Sequence, residues 1–205
     1  MSLQWITPFR RTGCERLHAD GQPVSESNDL LQFWQWMGSD LVANTQRAVV
    51  AEYIVGVAVG DACLMSGTRD PWGNYDLTST HEVRIEVKSA AYVQYWRQAR
   101  ESTPTFDIAK TLAFDPETDQ FSDTPTRSAD VYVFCLHTHR ASDPVEAIDP
   151  LNVSQWEFYV LSTAALEDHF GDQKTVRLGS LYRIGARPVR FEDLGSAVDG
   201  AFRGD

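Results

Sequence analysis

Apolar and charged residues alternate along VRIEVKS (83–89), so Val83, Ile85 and Val87 share one face of a predicted strand and Arg84, Glu86 and Lys88 the other. YDLTS (75–79) precedes it and forms a second short strand. Joined as a hairpin with its turn centred near His81, the two strands bring Asp76 opposite Glu86, because both lie five residues from the turn. Facing antiparallel residues hold their Cβ atoms about 4.5–5.5 Å apart. In this register Tyr75 and Leu77 join the apolar face, and Asp76 joins Glu86 and Lys88.

The same patterning organises the rest of the chain. SESND (25–29) caps a helix through LLQFWQWM, and Gly38 and Ser39 end it. A longer buried helix is expected from about Asp40 to Val59, closed by Gly60, with Glu52 in its apolar middle. A short apolar run, ACLM, leads into the turn-rich loop GTRDPWGN. After the hairpin, AYVQYWRQAR (91–100) reads as a helix and TFDIAKTLAFD (105–115) as a strand or tight hairpin. ADVYVFCLHTH (129–139) is apolar on both faces, as a central strand covered on both sides would be. WEFYVLS forms another strand, Ser162 or Thr163 caps the helix TAALEDHF, and TVRL, SLYRIG and a helix in FEDLGSAVDGAF finish the chain. The order predicts an α/β protein with a central mixed β-sheet and helices on its faces. It fits one domain over 1–205, with an N-terminal extension at 1–39, a core at 40–165 and C-terminal elements at 166–205.

Composition narrows the function classes. With 42% hydrophobic residues in 205, a sizeable core is expected, and no segment approaches eighteen uncharged apolar residues. MSLQWITPFRR lacks the order of a secretory signal, and three widely spaced cysteines fit reduced thiols, so a cytoplasmic protein is expected. The net charge of -11 argues against a protein that coats nucleic acid. Its distribution is uneven, however. Residues 107–149 hold nine acidic and three basic side chains, whereas 172–191 hold five basic and one acidic. One basic face on an acidic protein is therefore permitted.

Asp76, Glu86 and Lys88 supply the candidate chemistry. Two facing carboxylates repel unless positive charge lies between them, and Lys88 or a divalent cation could provide it. Hard cations such as Mg²⁺ take carboxylate and carbonyl oxygens, which Asp76, Glu86 and the Val87 backbone carbonyl would offer. Lys88 could hold and help deprotonate an attacking water. Glu52, from a helix packed on the sheet, could bind a metal water or a second metal.

These residues resemble the PD-(D/E)XK nuclease superfamily. Asp76, nine intervening residues, Glu86-Val87-Lys88 and the preceding helix with Glu52 carry the resemblance, which spans roughly residues 40–165. Tyr75 stands where the name-giving proline would be. The resemblance implies a restriction-endonuclease-like αβα sandwich and a Mg²⁺-dependent endonuclease, with Mn²⁺ as a substitute. It assigns Asp76 and Glu86 to the metal, Lys88 to the water, Glu52 to the metal shell and Gln94, on the following helix, to a supporting position. DPWGNYDL, EVKSAAYVQYW and DVYVFCL…QWEFYVL further resemble a bacterial group within the superfamily, which implies no particular biochemical role. DNA is the expected substrate, a homodimer the expected assembly for double-strand cutting, and restriction, defence or DNA processing the expected setting.

Ser89, Arg84, Arg69 and Trp72 are further candidates for substrate contact, with Arg97 and Arg100 behind them. The aromatics of FWQWM and AYVQYW could stack on bases but read more readily as core or interface anchors. Cys135, His137 and His139 alternate along one strand face and invite a zinc reading, though without the usual two-plus-two spacing, and Cys135 reads as core. No organic cofactor is implied. The competing classes are a non-catalytic interaction or DNA-binding module on the same fold and a nuclease acting on RNA.

Overall fold

Three strands with alternating faces and one strand apolar on both faces build a sheet between two cores. The computed structural model describes residues 7–25 and 27–204, so the expectations attached to MSLQWI (1–6) and to Glu26 of SESND lie outside the described residues. The chain opens with two short strands, β1 (His18–Ala19) and β2 (Gln22–Pro23), followed by α1 (Leu30–Gly38), α2 (Asn44–Val59) and α3 (Cys63–Ser66). Next come β3 (Leu77–Thr78), β4 (Arg84–Ala91), β5 (Thr105–Asp107), β6 (Phe114–Asp115) and β7 (Gln120–Phe121). The last part holds β8 (Val131–His137), β9 (Trp156–Ser162), α4 (Thr163–Phe170), β10 (Thr175–Arg177), α5 (Leu178–Arg183) and α6 (Leu194–Arg203).

The central sheet has the order β3-β4-β8-β9 and is mixed, with β4 and β8 parallel and the outer pairs antiparallel. Ile85, Val87, Val131, Val133, Cys135 and Phe158 point to the core under α2 and α6. Tyr132, Phe134, Leu136 and Tyr159 point to the other face, covered by β5, α4, β10 and α5. Every residue of β8 is buried, as its apolar run predicts for a central strand. Bidentate pairing of Arg84 with Asp130, at 2.5 and 2.9 Å, ties the starts of β4 and β8.

Three expectations change. The longer helix begins at Asn44, not Asp40, because Asp40 closes a turn onto the Ala43 N–H at 3.3 Å. Its end is as expected, with Gly60 left-handed at φ 69°. Residues 91–100 form no helix. Aromatic and β-branched residues are modest helix formers, and here glutamine side chains replace the backbone ladder. Gln98 accepts from the Gln94 N–H at 2.6 Å and donates to the Tyr92 carbonyl at 3.3 Å, while Gln94 donates to the Ala91 carbonyl at 2.9 Å. Finally, of the core and interface readings of the α1 aromatics the core one fails: Phe33, Trp34 and Trp36 are 48%, 39% and 83% exposed.

Arg127 joins the second layer. Its side chain is fully buried and donates to Glu167 at 2.6 Å, to the Ile108 carbonyl at 2.9 Å and to the Gly171 carbonyl at 2.9 Å. Removing it strands buried acceptors, each worth about 1–3 kcal/mol. Arg127→Ala is expected to lower the unfolding free energy by about 2–3 kcal/mol in urea titration. A loss below about 0.5 kcal/mol would contradict that role.

Candidate functional site

The β3–β4 hairpin has the register read from the sequence. Leu77 pairs with Ile85 and Thr78 with Arg84, which extends to Asp76 opposite Glu86. The strand itself stops at Leu77, and Asp76 takes over its outer partners. The Asp76 N–H donates to the Ile85 carbonyl at 3.0 Å, and its carboxylate accepts the Val87 N–H at 2.7 Å. On the other edge of β3, the buried Asp61 carboxylate accepts the Thr78 N–H at 2.9 Å. The alternation holds at Asp76 and ends one residue further out. Tyr75 packs against the second core, not with Leu77 as expected.

Glu86 and Lys88 leave β4 on the same side and meet at 2.5 Å. With Asp76 they line a cavity of about 400 Å³. Its walls come from the 71–74 loop, which carries Trp72, and from the β6–β7 hairpin. Asn74 stitches the two together, donating to the Phe114 carbonyl at 2.7 Å and accepting its N–H at 2.8 Å.

Charge in this cavity is unevenly compensated. Burial, then the negative charge of Glu86, raises the Asp76 carboxyl to about 6, against the opposing Val87 N–H; Glu52 raises it further. Burial alone would lower the Lys88 ammonium, but Glu86, and less strongly Asp76 and Asp107, outweigh it and hold its pKa above the ordinary value. Lys88 is therefore a cation at neutral pH and positions water better than it deprotonates it. Burial, then Glu86, also raises the Tyr132 phenol, keeping it a neutral donor beside Glu86 across the β4–β8 pair.

The remaining candidates are distributed differently. Glu52, on α2, is held by Arg69 in a bidentate pair at 2.5 and 2.8 Å. Trp72 stands at the cavity rim, 85% exposed. Arg84 is committed to Asp130, and Ser89 falls by strand alternation on the α2 side of the sheet. Gln94 accepts from Arg47 at 3.0 Å and does not line this cavity. Cys135 is core, and His137 packs edge-on against Trp156 at 5.0 Å. Among the described residues, no group of three or more His, Cys, Asp or Glu side chains could hold a metal ion. Asp107, Tyr132 and Asn74 were missed in the sequence. Asn74 carried a turn signal, whereas Asp107 and Tyr132 enter only through the packing of β5 and β8.

Fold and site define a mixed α/β protein with two carboxylates and a lysine on a hairpin-walled cavity. The family model of bacteriophage T4 endonuclease IV matches residues 30–176, well over half of the chain, and the chain belongs to that nuclease family. The matched span contains Glu52, Asp76, Glu86 and Lys88. No curated protein matches the chain. No helix among the described residues is long and apolar enough to cross a membrane.

A carboxyl with a raised folded-state pKa contributes stability that is present below its unfolded value and lost as pH rises through its folded value. For Asp76 that window runs from 3.8 to about 6, worth at most about 3 kcal/mol. Asp76→Asn keeps an acceptor for Val87 and removes the charge. Its melting temperature is expected to exceed wild type at pH 8 by several degrees, with the gap closing near pH 4. Equal gaps at both pH values would contradict the buried-charge description.

Proposed function

We propose that the chain is a metal-dependent endonuclease that hydrolyses phosphodiester bonds in DNA on a restriction-endonuclease-like fold of the PD-(D/E)XK type. The observation that carries this reading is the convergence of Asp76, Glu86 and Lys88 on one cavity in a chain of a nuclease family. The donor set suits a hard cation: two carboxylates lie close enough for Glu86 to raise Asp76, and Lys88 and Arg69 are the cations that act on the cluster. Asp76, Glu86 and the Val87 carbonyl would hold Mg²⁺ or Mn²⁺, with Glu52 in support once Arg69 releases it. Such an ion, when bound, acidifies water and neutralises phosphate charge.

The chain's own groups account for the rest. Lys88, fixed by Glu86, orients the attacking water and screens the phosphate. The water oxygen forms a new bond to phosphorus as the bond to the leaving oxygen breaks. The proton lost by water balances the proton gained by the leaving group. Tyr132, kept protonated by burial and by Glu86, lines the same cavity. Trp72 and Arg69 sit on the loop that leads into Asp76 and approach the strand near the scissile bond. Cutting both strands would call for a second copy, hence a homodimer. Three free thiols support a cytoplasmic setting, and a role in restriction, defence or DNA processing rests on the resemblance alone. The net charge of -11 favours the second reading, a non-catalytic module on the same fold.

Plasmid cleavage with Mg²⁺ or Mn²⁺ separates the two. Wild type is expected to nick or cut, Lys88→Ala to lose about 100-fold in rate and Asp76→Ala at least as much. Full activity in both variants would overturn the site. No cleavage of DNA and no metal binding by wild type would favour the module, and cleavage of RNA alone would change the substrate.

The Arg69 pair carries its own expectation. Arg69 occupies the Glu52 carboxylate and lies in the field of Asp76, so it competes with a cation there. Arg69→Ala is expected to tighten Mn²⁺ binding severalfold by calorimetry. Weaker binding would show that Arg69 instead holds Glu52 in place for the metal.

A further inference from the structure

Past the C-terminal ends of the parallel strands β4 and β8 lies a second cavity of about 330 Å³, at the small end of the range for ligand sites, about 300–1,000 Å³. The carboxyl ends of parallel strands are where ligands commonly bind in open α/β sheets. Gln94, Arg100, His139 and Arg140 line it, and Trp96 forms an aromatic wall.

The groups behind this wall are unusual. Arg47 of α2 is 3% exposed and donates only to neutral acceptors: the carbonyls of Val42 and Val93 at 3.3 and 3.2 Å, Asn44 Oδ1 at 2.7 Å and Gln94 Oε1 at 3.0 Å. Val93 and Gln94 belong to the cavity wall, so the guanidinium stands directly behind it. No carboxylate pairs with Arg47 among the described residues, and its buried Nε has no hydrogen-bond partner. An unpaired buried cation is costly. Neighbouring His137 is fully buried, and its ring lies 6.4 Å from that of His139 in the wall. Asp149 lies beside His137, and its carboxylate accepts the Leu151 N–H at 3.0 Å. α2 itself has Ala43 as its N-cap, without a side-chain cap or an acidic residue in its first turn, so its N-terminal dipole adds positive potential.

The cavity's own carboxylates are engaged. Glu101 accepts the Ala141 N–H at 2.9 Å and pairs with Arg140 at 3.1 Å, and Asp143 accepts the Arg140 N–H at 2.7 Å. Arg140 is also stacked on the Tyr92 ring at 3.7 Å, which fixes its direction. The Arg100 side chain makes no hydrogen bond or ion pair among the described residues.

We propose that this cavity binds the phosphate group of a nucleotide, with Arg100, Arg140 and His139 at the phosphate, Arg47 as fixed positive charge behind it and Trp96 against the nucleoside. The choice of a nucleotide over other phosphate esters rests on the nuclease reading; the anion site does not. The phosphate could belong to the phosphorylated end of a strand or to a free mononucleotide.

Calorimetry in EDTA keeps metal-dependent cleavage out of the measurement. The probes are inorganic phosphate, thymidine 5′-monophosphate, and 5′-phosphorylated and 5′-hydroxyl oligothymidylates. Wild type is expected to bind the mononucleotide more tightly than phosphate, and Arg100→Gln and Arg140→Gln each to weaken it about tenfold. Preference for the 5′-phosphorylated strand over the hydroxyl strand supports a strand end; mononucleotide binding without that preference supports the free nucleotide. Absence of binding by phosphate and mononucleotide, together with equal binding of the two strands, would overturn the proposal. So would binding unchanged in both arginine variants, whose exposed positions make misfolding an unsuitable explanation once melting temperatures agree. Failure of the nuclease reading appears elsewhere, as unchanged cleavage by Asp76→Ala.

Discussion

The hydrogen bond from the Val87 N–H to the Asp76 carboxylate organises this molecule's chemistry. A backbone strand would normally pair with β4 at that point. An aspartate side chain does so instead, and this places a carboxylate in a half-buried position beside Glu86. The consequences follow from electrostatics. Asp76 becomes reluctant to ionise, Lys88 is held protonated by its acidic neighbours, and positive charge is drawn towards the cluster from the 69–74 loop. Terminating the hairpin also opens the space that the loop and the β6–β7 hairpin then enclose.

Legibility in the sequence followed the range of the forces involved. Short-range periodicity reveals the hairpin register, the buried β8, the Gly60 terminus of α2 and a cap for α4 at Ser162 or Thr163, which the fold assigns to Ser162, each set by a few neighbouring residues. The site core was legible for the same reason, since Asp76, Glu86 and Lys88 sit on one hairpin. The segment 91–100 reads as a helix because its apolar spacing suits one, while its backbone is satisfied by Gln94 and Gln98 side chains that periodicity does not register. Tyr75 was placed on the wrong face because alternation was extended past the last paired residue. Asp107 and Tyr132 reach the cavity through tertiary packing, which leaves no local pattern.

Charge distribution explains how an acidic chain could handle a polyanion. A net charge of -11 repels nucleic acid at long range, so binding would depend on local positive groups and on metal at the cluster. Arg84 and Arg127 are consumed by structural pairs, whereas Arg69, paired with Glu52, acts on Asp76, and Arg100 and Arg140 line the second cavity. Membership of the bacteriophage T4 endonuclease IV family and this arrangement point the same way. The family match rests on residues 30–176, and the cavity on individual side chains.

If Asp76 and Glu86 form a cation site, as proposed, anomalous diffraction from crystals soaked in Mn²⁺ will show it. A manganese peak between the two carboxylates that vanishes in Asp76→Asn is the result expected. Well-ordered crystals with no peak there, or with manganese bound only elsewhere, would rule that site out.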